Sequence, residues 1–292
     1  MIEVVIWGIV LASSLVALAW GSHLTIKSIE KLLEFVGSSE ASVGFAILSW
    51  MTSVPEITVA IFSVTEGKPG ISIGDVLGSN VFNIGVVVGV LATIGFLKKC
   101  STDLLVDLLD ILFLSSLIPL LLIVFKVFSS HVGILLLAVY GFSVYTMTRR
   151  RSSAPASMRK VASEGIDKKR VVLSIIGGMV IVILAARFVV SSAINIATIF
   201  GVPTILIGAK IIAIGTSMPE LVLDLTAARR GRIHLAIGDA VGSNLTNLTL
   251  VLGIVLLASP SPLAINLTAF AEILPFVLIT TLILWRFLTK GG

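Results

Sequence analysis

Two Pro–Glu pairs, Pro55-Glu56 and Pro219-Glu220, stand inside stretches otherwise rich in Ile, Leu, Val and Ala, where an acid needs a reason to be. Each is preceded by hydroxyls at the same spacing: Thr52 and Ser53 before Glu56, Thr216 and Ser217 before Glu220. On a helix these lie about one turn from the carboxylate and on its side. Twenty-three residues after each glutamate comes a serine, Ser79 or Ser243, and one turn later an asparagine, Asn83 or Asn247. The set is two carboxylates, hydroxyls, amide oxygens and main-chain carbonyls. Hard cations such as Na⁺ and Ca²⁺ prefer all-oxygen shells, and sulfur or imidazole ligands are lacking here. The prolines add to the set. Having no N–H, Pro55 and Pro219 leave the carbonyls of Met51 and Gly215 without their helical donors. In hydrocarbon such carbonyls need a partner, and a cation is one. An unpaired carboxylate inside a bilayer costs about 2.5–3.5 kcal/mol on insertion scales, so two facing acids are expected to hold cations or protons.

A plainer reading exists for each residue alone. Ser, Thr, Asn and Gly in membrane helices often serve only packing and hydrogen bonding, and a Pro–Glu pair can be a kink with a snorkelling or protonated acid. Duplication argues against it. Residues 52–83 (TSVPEITVAIFSVTEGKPGISIGDVLGSNVFN) align without a gap on 216–247 (TSMPELVLDLTAARRGRIHLAIGDAVGSNLTN), at a constant offset of 164. Thr52, Ser53, Pro55, Glu56, Gly67, Gly74, Asp75, Gly78, Ser79, Asn80 and Asn83 all recur in the second copy, and all are polar, Gly or Pro. Two generic apolar helices would not share that set. Gly78 and Gly242 would let helices approach closely around the site.

The elements that must position these residues follow from composition. The 292 residues are 57% hydrophobic and 13% charged, with mean hydropathy +1.11. A soluble chain carries about 25% charged residues, so lipid is the expected solvent. Reading for stretches of about 20 apolar residues predicts nine helices, at 4–24, 40–65, 71–97, 103–125, 130–148, 171–194, 203–228, 233–258 and 264–288. The polar run 149–170 divides the chain into a first half (1–148, five helices) and a second half (171–292, four helices). With the N-terminus outside, 17 of 21 Lys and Arg fall on inner segments, and only Lys68 and Lys126 on outer loops. The positive-inside rule therefore puts 149–170 in the cytoplasm. It also accounts for the basic pI as a topology signal beside anionic headgroups, with no nucleic-acid partner. The single cysteine, Cys100, excludes an internal disulfide, and the acidic Glu3 does not suit a signal peptide. In this orientation the Glu56 segment runs outward and the Glu220 segment inward. Inverted repeats of that kind place a substrate site near the midplane.

The paired segments, about 49–92 and 213–256, resemble the two alpha-repeats of the calcium/cation antiporter superfamily, with its G-T-S-x-P-E and G-S-N-x-x-N motifs. The closest likeness is to prokaryotic sodium/calcium exchangers, with proton/calcium exchangers second. The resemblance implies an all-α membrane protein of two inverted-topology repeats, usually ten helices against the nine read here. It implies a monomeric antiporter in the plasma membrane that exchanges Ca²⁺ for Na⁺ and needs no cofactor. Glu56 and Glu220 would be central calcium ligands that also share sodium. Thr52, Ser53, Ser79, Thr216, Ser217 and Ser243 would supply further oxygens, the main-chain carbonyls of Ser49 and Ala213 would serve sodium positions, and Asn83 and Asn247 would complete the centre. The first and sixth helices would slide together across the core to alternate access.

Several residues depart from the family pattern. Trp50-Met51 replaces a small residue and Gly, and Trp50 would narrow an access path. Asn247 replaces an Asp found in some relatives, which speaks against potassium dependence. Asp75 and Asp239 stand where Asn is common, and the simplest expectation is an acid near a helix N-terminus. Asp224, unmatched by Ala60, would pair with Arg229 or add a third acid. Lys210 and Arg187, inside predicted spans, would snorkel to an interface or enter a sodium position. The offset pairs the fourth helix with the last and leaves the fifth unpartnered. Two other functions compete. An intramembrane aspartyl protease would use Asp75 and Asp239, but its G-x-G-D motif is absent. A channel would usually assemble its pore from several subunits.

Overall fold

The computed structural model describes residues 2–33, 45, 48–96, 103–125, 129–149, 168–202, 208–229, 231–259 and 267–289. Every regular element among them is helical. Helix α1 spans Ile2–Leu33; α2 (Ser49–Thr52) and α3 (Val54–Thr65) form a broken pair. Then come α4 (Pro69–Phe82), a wider π-turn (Asn83–Val88) and α5 (Gly89–Thr93). Helices α6 (Asp103–Ser116), α7 (Ile118–Phe125) and α8 (Ser130–Arg149) close the first half. The second half has α9 (Lys168–Phe200), a π-turn (Gly208–Ile212), the broken pair α10 (Ala213–Thr216) and α11 (Met218–Arg229), and α12 (Ile233–Thr246). A π-turn (Asn247–Val251), α13 (Leu252–Ala258) and α14 (Leu267–Thr289) follow.

Each of the nine predicted stretches contains described helical residues. By length and composition alone, four described helices can cross a membrane (2–25, 69–93, 169–200 and 233–258), or five if the pair 210–216 and 218–229, bent by 43°, is one span. The breaks at Ser53, Leu117 and Ser217 divide the others. Most of the linker 149–170, eight of the 17 inner-segment basic residues and Cys100 lie outside the described residues.

The packing is inverted relative to a soluble protein. Large apolar side chains face outward, with Trp20 60%, Phe142 63% and Phe276 61% exposed, while Glu56, Asp75, Glu220, Asp224 and Asp239 are all fully buried. Water would penalise both features; lipid penalises neither, provided the acids find partners. The chain is a multi-pass membrane protein. Helices α1 and α9 run along each other, with Leu11, Leu18, Val182, Ala186, Val189 and Val190 between them. They approach closely at Gly21 and Gly178, where a Cβ on Gly178 would lie 2.9 Å from the Gly21 carbonyl oxygen.

Identical local devices build both copies of the motif. Each break places a proline in the first turn of the helix that follows, where its missing N–H costs nothing. Helices α3 and α11 then end on Gly67 and Gly231, at φ 67° and 79°. Around them the N–H of Gly67 bonds Val64 (3.0 Å) and that of Lys68 bonds Ser63 (2.7 Å); Gly231 and Arg232 repeat this with Ala228 and Ala227, both at 2.9 Å. This is the Schellman termination, which needs a left-handed residue at its corner, and it turns the chain sharply into α4 and α12. The Gly242 expectation holds: a Cβ there would lie 2.7 Å from Ser49 Oγ and 2.9 Å from the Phe45 ring. Its absence lets α12 rest on α2.

Candidate cation site

The two copies meet by exchanging partners. Helix α2 lies on α12, and α10 lies on α4. Across the first contact the Thr52 hydroxyl donates to Asp239 Oδ1 (3.2 Å); across the second, Thr216 donates to Asp75 Oδ1 (2.9 Å). The asparagines do the same. Asn80 Nδ2 donates to the Asn244 carbonyl and Asn244 Nδ2 to the Asn80 carbonyl, both at 3.2 Å. Asn83 Nδ2 donates to Asn244 Oδ1 (3.1 Å) and Ser243 Oγ (3.3 Å), and Asn247 Nδ2 to Asn80 Oδ1 (3.2 Å). Reciprocity of this kind is what a two-fold relation between the copies produces.

These bonds dispose of donors and leave acceptors. Both carboxylate oxygens of Glu56 and of Glu220 are buried without a hydrogen-bond partner, as are Ser53 Oγ, Ser217 Oγ, Asn83 Oδ1 and Asn247 Oδ1. The amide nitrogens of Asn83 and Asn247 are held by the opposing copy, so their oxygens remain free. Glu56 lies close to Thr216 and Ser79, and Glu220 is within electrostatic reach of Glu56. Ser79 Oγ stands 3.3 Å from Thr216 Oγ1. Buried orphan oxygens are rare in folded proteins, because each forfeits its hydration. A concentration of them beside two acids calls for a cation.

The main-chain carbonyls of Ser49 and Ala213 are partly engaged. They accept the Ser53 and Ser217 N–H at 3.0 and 3.1 Å, and lie 3.2 and 3.3 Å from the Thr52 and Thr216 hydroxyls. Each threonine has one hydroxyl proton, and a carboxylate is the stronger acceptor. With that proton on aspartate, each carbonyl keeps one lone pair for an ion. Among the described residues no three His, Cys, Asp or Glu side chains converge on one point. Hydroxyl, amide and main-chain oxygens are therefore needed to close a shell.

One expectation changes, and two pairs of alternatives narrow to one. Asp75 and Asp239 are not helix-terminal acids: each lies beyond the first turn of its helix, is fully buried, and holds a threonine of the opposite copy. Asp224 does not pair with Arg229, which is exposed; it is fully buried against Asp239. Lys210 is exposed, and Arg187 is exposed with its guanidinium 5.7 Å from the Phe62 ring centre, so neither enters the oxygen cluster. Lys210→Ala is accordingly expected to leave cation transport within about two-fold of the parent. A larger change in a liposome flux assay would place its ammonium in the ion path. Trp50 is 38% exposed and its counterpart Ile214 49%, both on the outer side of their helices.

Asn80 and Asn244 were not legible as site residues, although their duplication was the available signal. The π-turns that begin at Asn83 and Asn247 gave no signal in composition. Insertions of this sort are frequent at functional sites, since they turn successive side chains onto a common face.

A helical membrane transporter with a cluster of buried, unpartnered oxygens at its centre is the class that this fold and site define. The sequence profile described as sodium/calcium exchanger protein matches residues 6–149 and 170–291, and the chain belongs to that family. It is thus a cation antiporter of the calcium/cation antiporter superfamily and not an enzyme, which disposes of the protease reading. The sodium/calcium exchanger MaX1 of Methanosarcina acetivorans is 27% identical, covering 97% of this chain and 91% of its own. The uncharacterized membrane protein MJ0091 of Methanocaldococcus jannaschii is 30% identical, covering 80% and 76%. The fold matches the sodium-calcium exchanger NCX_Mj soaked with 2.5 mM Na⁺ and 0.1 mM Sr²⁺, at TM-score 0.67 and 23% identity, over 99% of this chain and 92% of that one.

Proposed function

We propose that this antiporter exchanges Ca²⁺ for Na⁺ by alternating access, through a site centred on Glu56 and Glu220. One observation carries the reading: both glutamates are fully buried and near one another, with all four carboxylate oxygens unpartnered. Two carboxylates balance one Ca²⁺. Sodium ions, with similar oxygen preference but half the charge, compete for the same oxygens and for those of Thr52, Ser53, Ser79, Asn83, Thr216, Ser217, Ser243 and Asn247. The carbonyls of Ser49 and Ala213 serve sodium through their remaining lone pairs. An empty pair of acids is the most costly state in low dielectric, so the site crosses the membrane loaded, which couples the two fluxes.

The halves 1–148 and 171–292 act as inverted repeats, with the N-terminus outside, 149–170 in the cytoplasm, and a monomer in the plasma membrane as the working unit. Helices α1 and α9 supply the moving element. Leu15 of α1 packs directly on Gly215, next to the second break, so a shift of α1 acts where the Glu220 helix bends.

The test is ⁴⁵Ca²⁺ uptake into proteoliposomes under imposed sodium, potassium or proton gradients. Uptake is expected when sodium is trapped inside, and should stop when the sodium gradient is collapsed. Uptake driven by a pH gradient alone would replace sodium by protons as the coupling ion. Calcium flux indifferent to trans sodium at every pH would make the protein a channel.

A further inference from the structure

The second copy holds an acid that the first lacks. Asp224 lies four residues after Glu220, and Ala60 occupies the matching place after Glu56. Ser217, Glu220 and Asp224, at i, i+3 and i+7, share one face of the helix across the break. All three are fully buried, and every side-chain oxygen on them lacks a hydrogen-bond partner. Asp224 stands against Asp239 of the next helix, whose Oδ2 is also buried and unpartnered while its Oδ1 accepts the Thr52 hydroxyl at 3.2 Å.

Two buried carboxylates side by side need positive charge. The neighbouring basic side chains do not supply it: Lys210, Arg229 and Arg187 are exposed, and Arg187 lies over Phe62. The central site does not supply it either. Glu220 is within electrostatic reach of Asp224 and Asp239, but these three acids do not converge on one point. An ion held between Glu56 and Glu220 therefore leaves the aspartate pair outside its shell.

We infer that the Asp224 and Asp239 carboxylates form a second site for a hard divalent cation, distinct from the central one. Charge balance selects a divalent ion, because two carboxylates with no basic partner among the described residues are neutralised by one such ion. The oxygen-only donors select Ca²⁺-like chemistry over softer metals. Since Ala60 removes the counterpart from the first copy, the site exists on one side of the two-fold only. Ions reaching the centre from that side meet a station that ions from the other side do not. The inference rests on the proposed exchange reading for the central site.

The experiment is equilibrium ⁴⁵Ca²⁺ binding to the purified full-length chain in detergent without sodium, with folding checked by a monodisperse elution profile. The parent is expected to bind two Ca²⁺ per chain, Asp224→Ala one, and Glu56→Gln one. Asp224→Asn keeps the side-chain volume and should also bind one, which decides the matter if the alanine variant fails to fold. Parent stoichiometry of one, unchanged in both Asp224 variants, overturns the inference and leaves a shared proton between the aspartates. Two ions retained in both Asp224 variants also overturns it, by locating the second ion elsewhere. Loss of all binding in a folded Asp224→Asn overturns the separateness of the sites. Failure of the central reading looks different: Glu56→Gln would then bind as many ions as the parent, while the Asp224 variants still lose one.

Discussion

Glu56→Gln, and separately Glu220→Gln, are expected to abolish sodium-driven ⁴⁵Ca²⁺ uptake, lowering the rate by at least about 100-fold, or roughly 2.8 kcal/mol at 1.4 kcal/mol per decade. Glutamine has nearly the same shape and size as glutamate, so packing is not the cause. What changes is the charge and one oxygen. Both oxygens of each glutamate are free of hydrogen bonds and fully buried, so each carboxylate offers its whole negative charge to an ion. Removing one leaves a divalent ion half-balanced in low dielectric, where charge imbalance is most costly. The amide also introduces two N–H donors that point at cations or go unpaired. The unloaded variants should fold as well as the parent, since the amide fills the same space as the acid. Normal elution with lost uptake is therefore the expected combination. Undiminished uptake in both variants would remove these residues from the transport site.

The second large effect is expected where no ion ligand is touched. Asn80→Ala deletes the amide that donates to the Asn244 carbonyl and the oxygen that accepts from Asn247 Nδ2. Two buried polar groups are then stranded, at about 1–3 kcal/mol each. The melting temperature should fall by several degrees, and Asn247, no longer held by its nitrogen, is free to rotate its oxygen away from the centre. Calcium affinity is expected to drop on the order of ten-fold, with the same outcome for Asn244→Ala through Asn83. Asn80→Asp should recover part of the loss, because an acid oxygen still accepts from Asn247. Wild-type affinity and thermal stability in both alanine variants would mean that the reciprocal amide bonds do not position the site.

Asp75 shows where reading a chain falls short of reading a fold. Standing where Asn is common, it is most simply expected to be a helix-end acid, yet it is buried in α4 and binds Thr216, 141 residues away. Asn80 was visible as a duplicated residue, but nothing in its own helix indicated that its partner would be the identical residue of the other copy. In contrast, the Pro–Glu breaks and the hydroxyls before them were evident from spacing. They depend on backbone geometry within a few residues.

The sequence by itself determined a membrane solvent, a duplicated unit, and an all-oxygen donor set on the faces of broken helices. These follow from composition and helical period, which are local properties of a chain. Only the tertiary structure decided which oxygens stay free. That choice depends on which donors the other copy supplies, such as Thr52 for Asp239 or Asn83 for Asn244. Such pairings join residues more than a hundred positions apart. They are fixed by helix packing across small residues such as Gly242, where a single added carbon would hold the two copies apart.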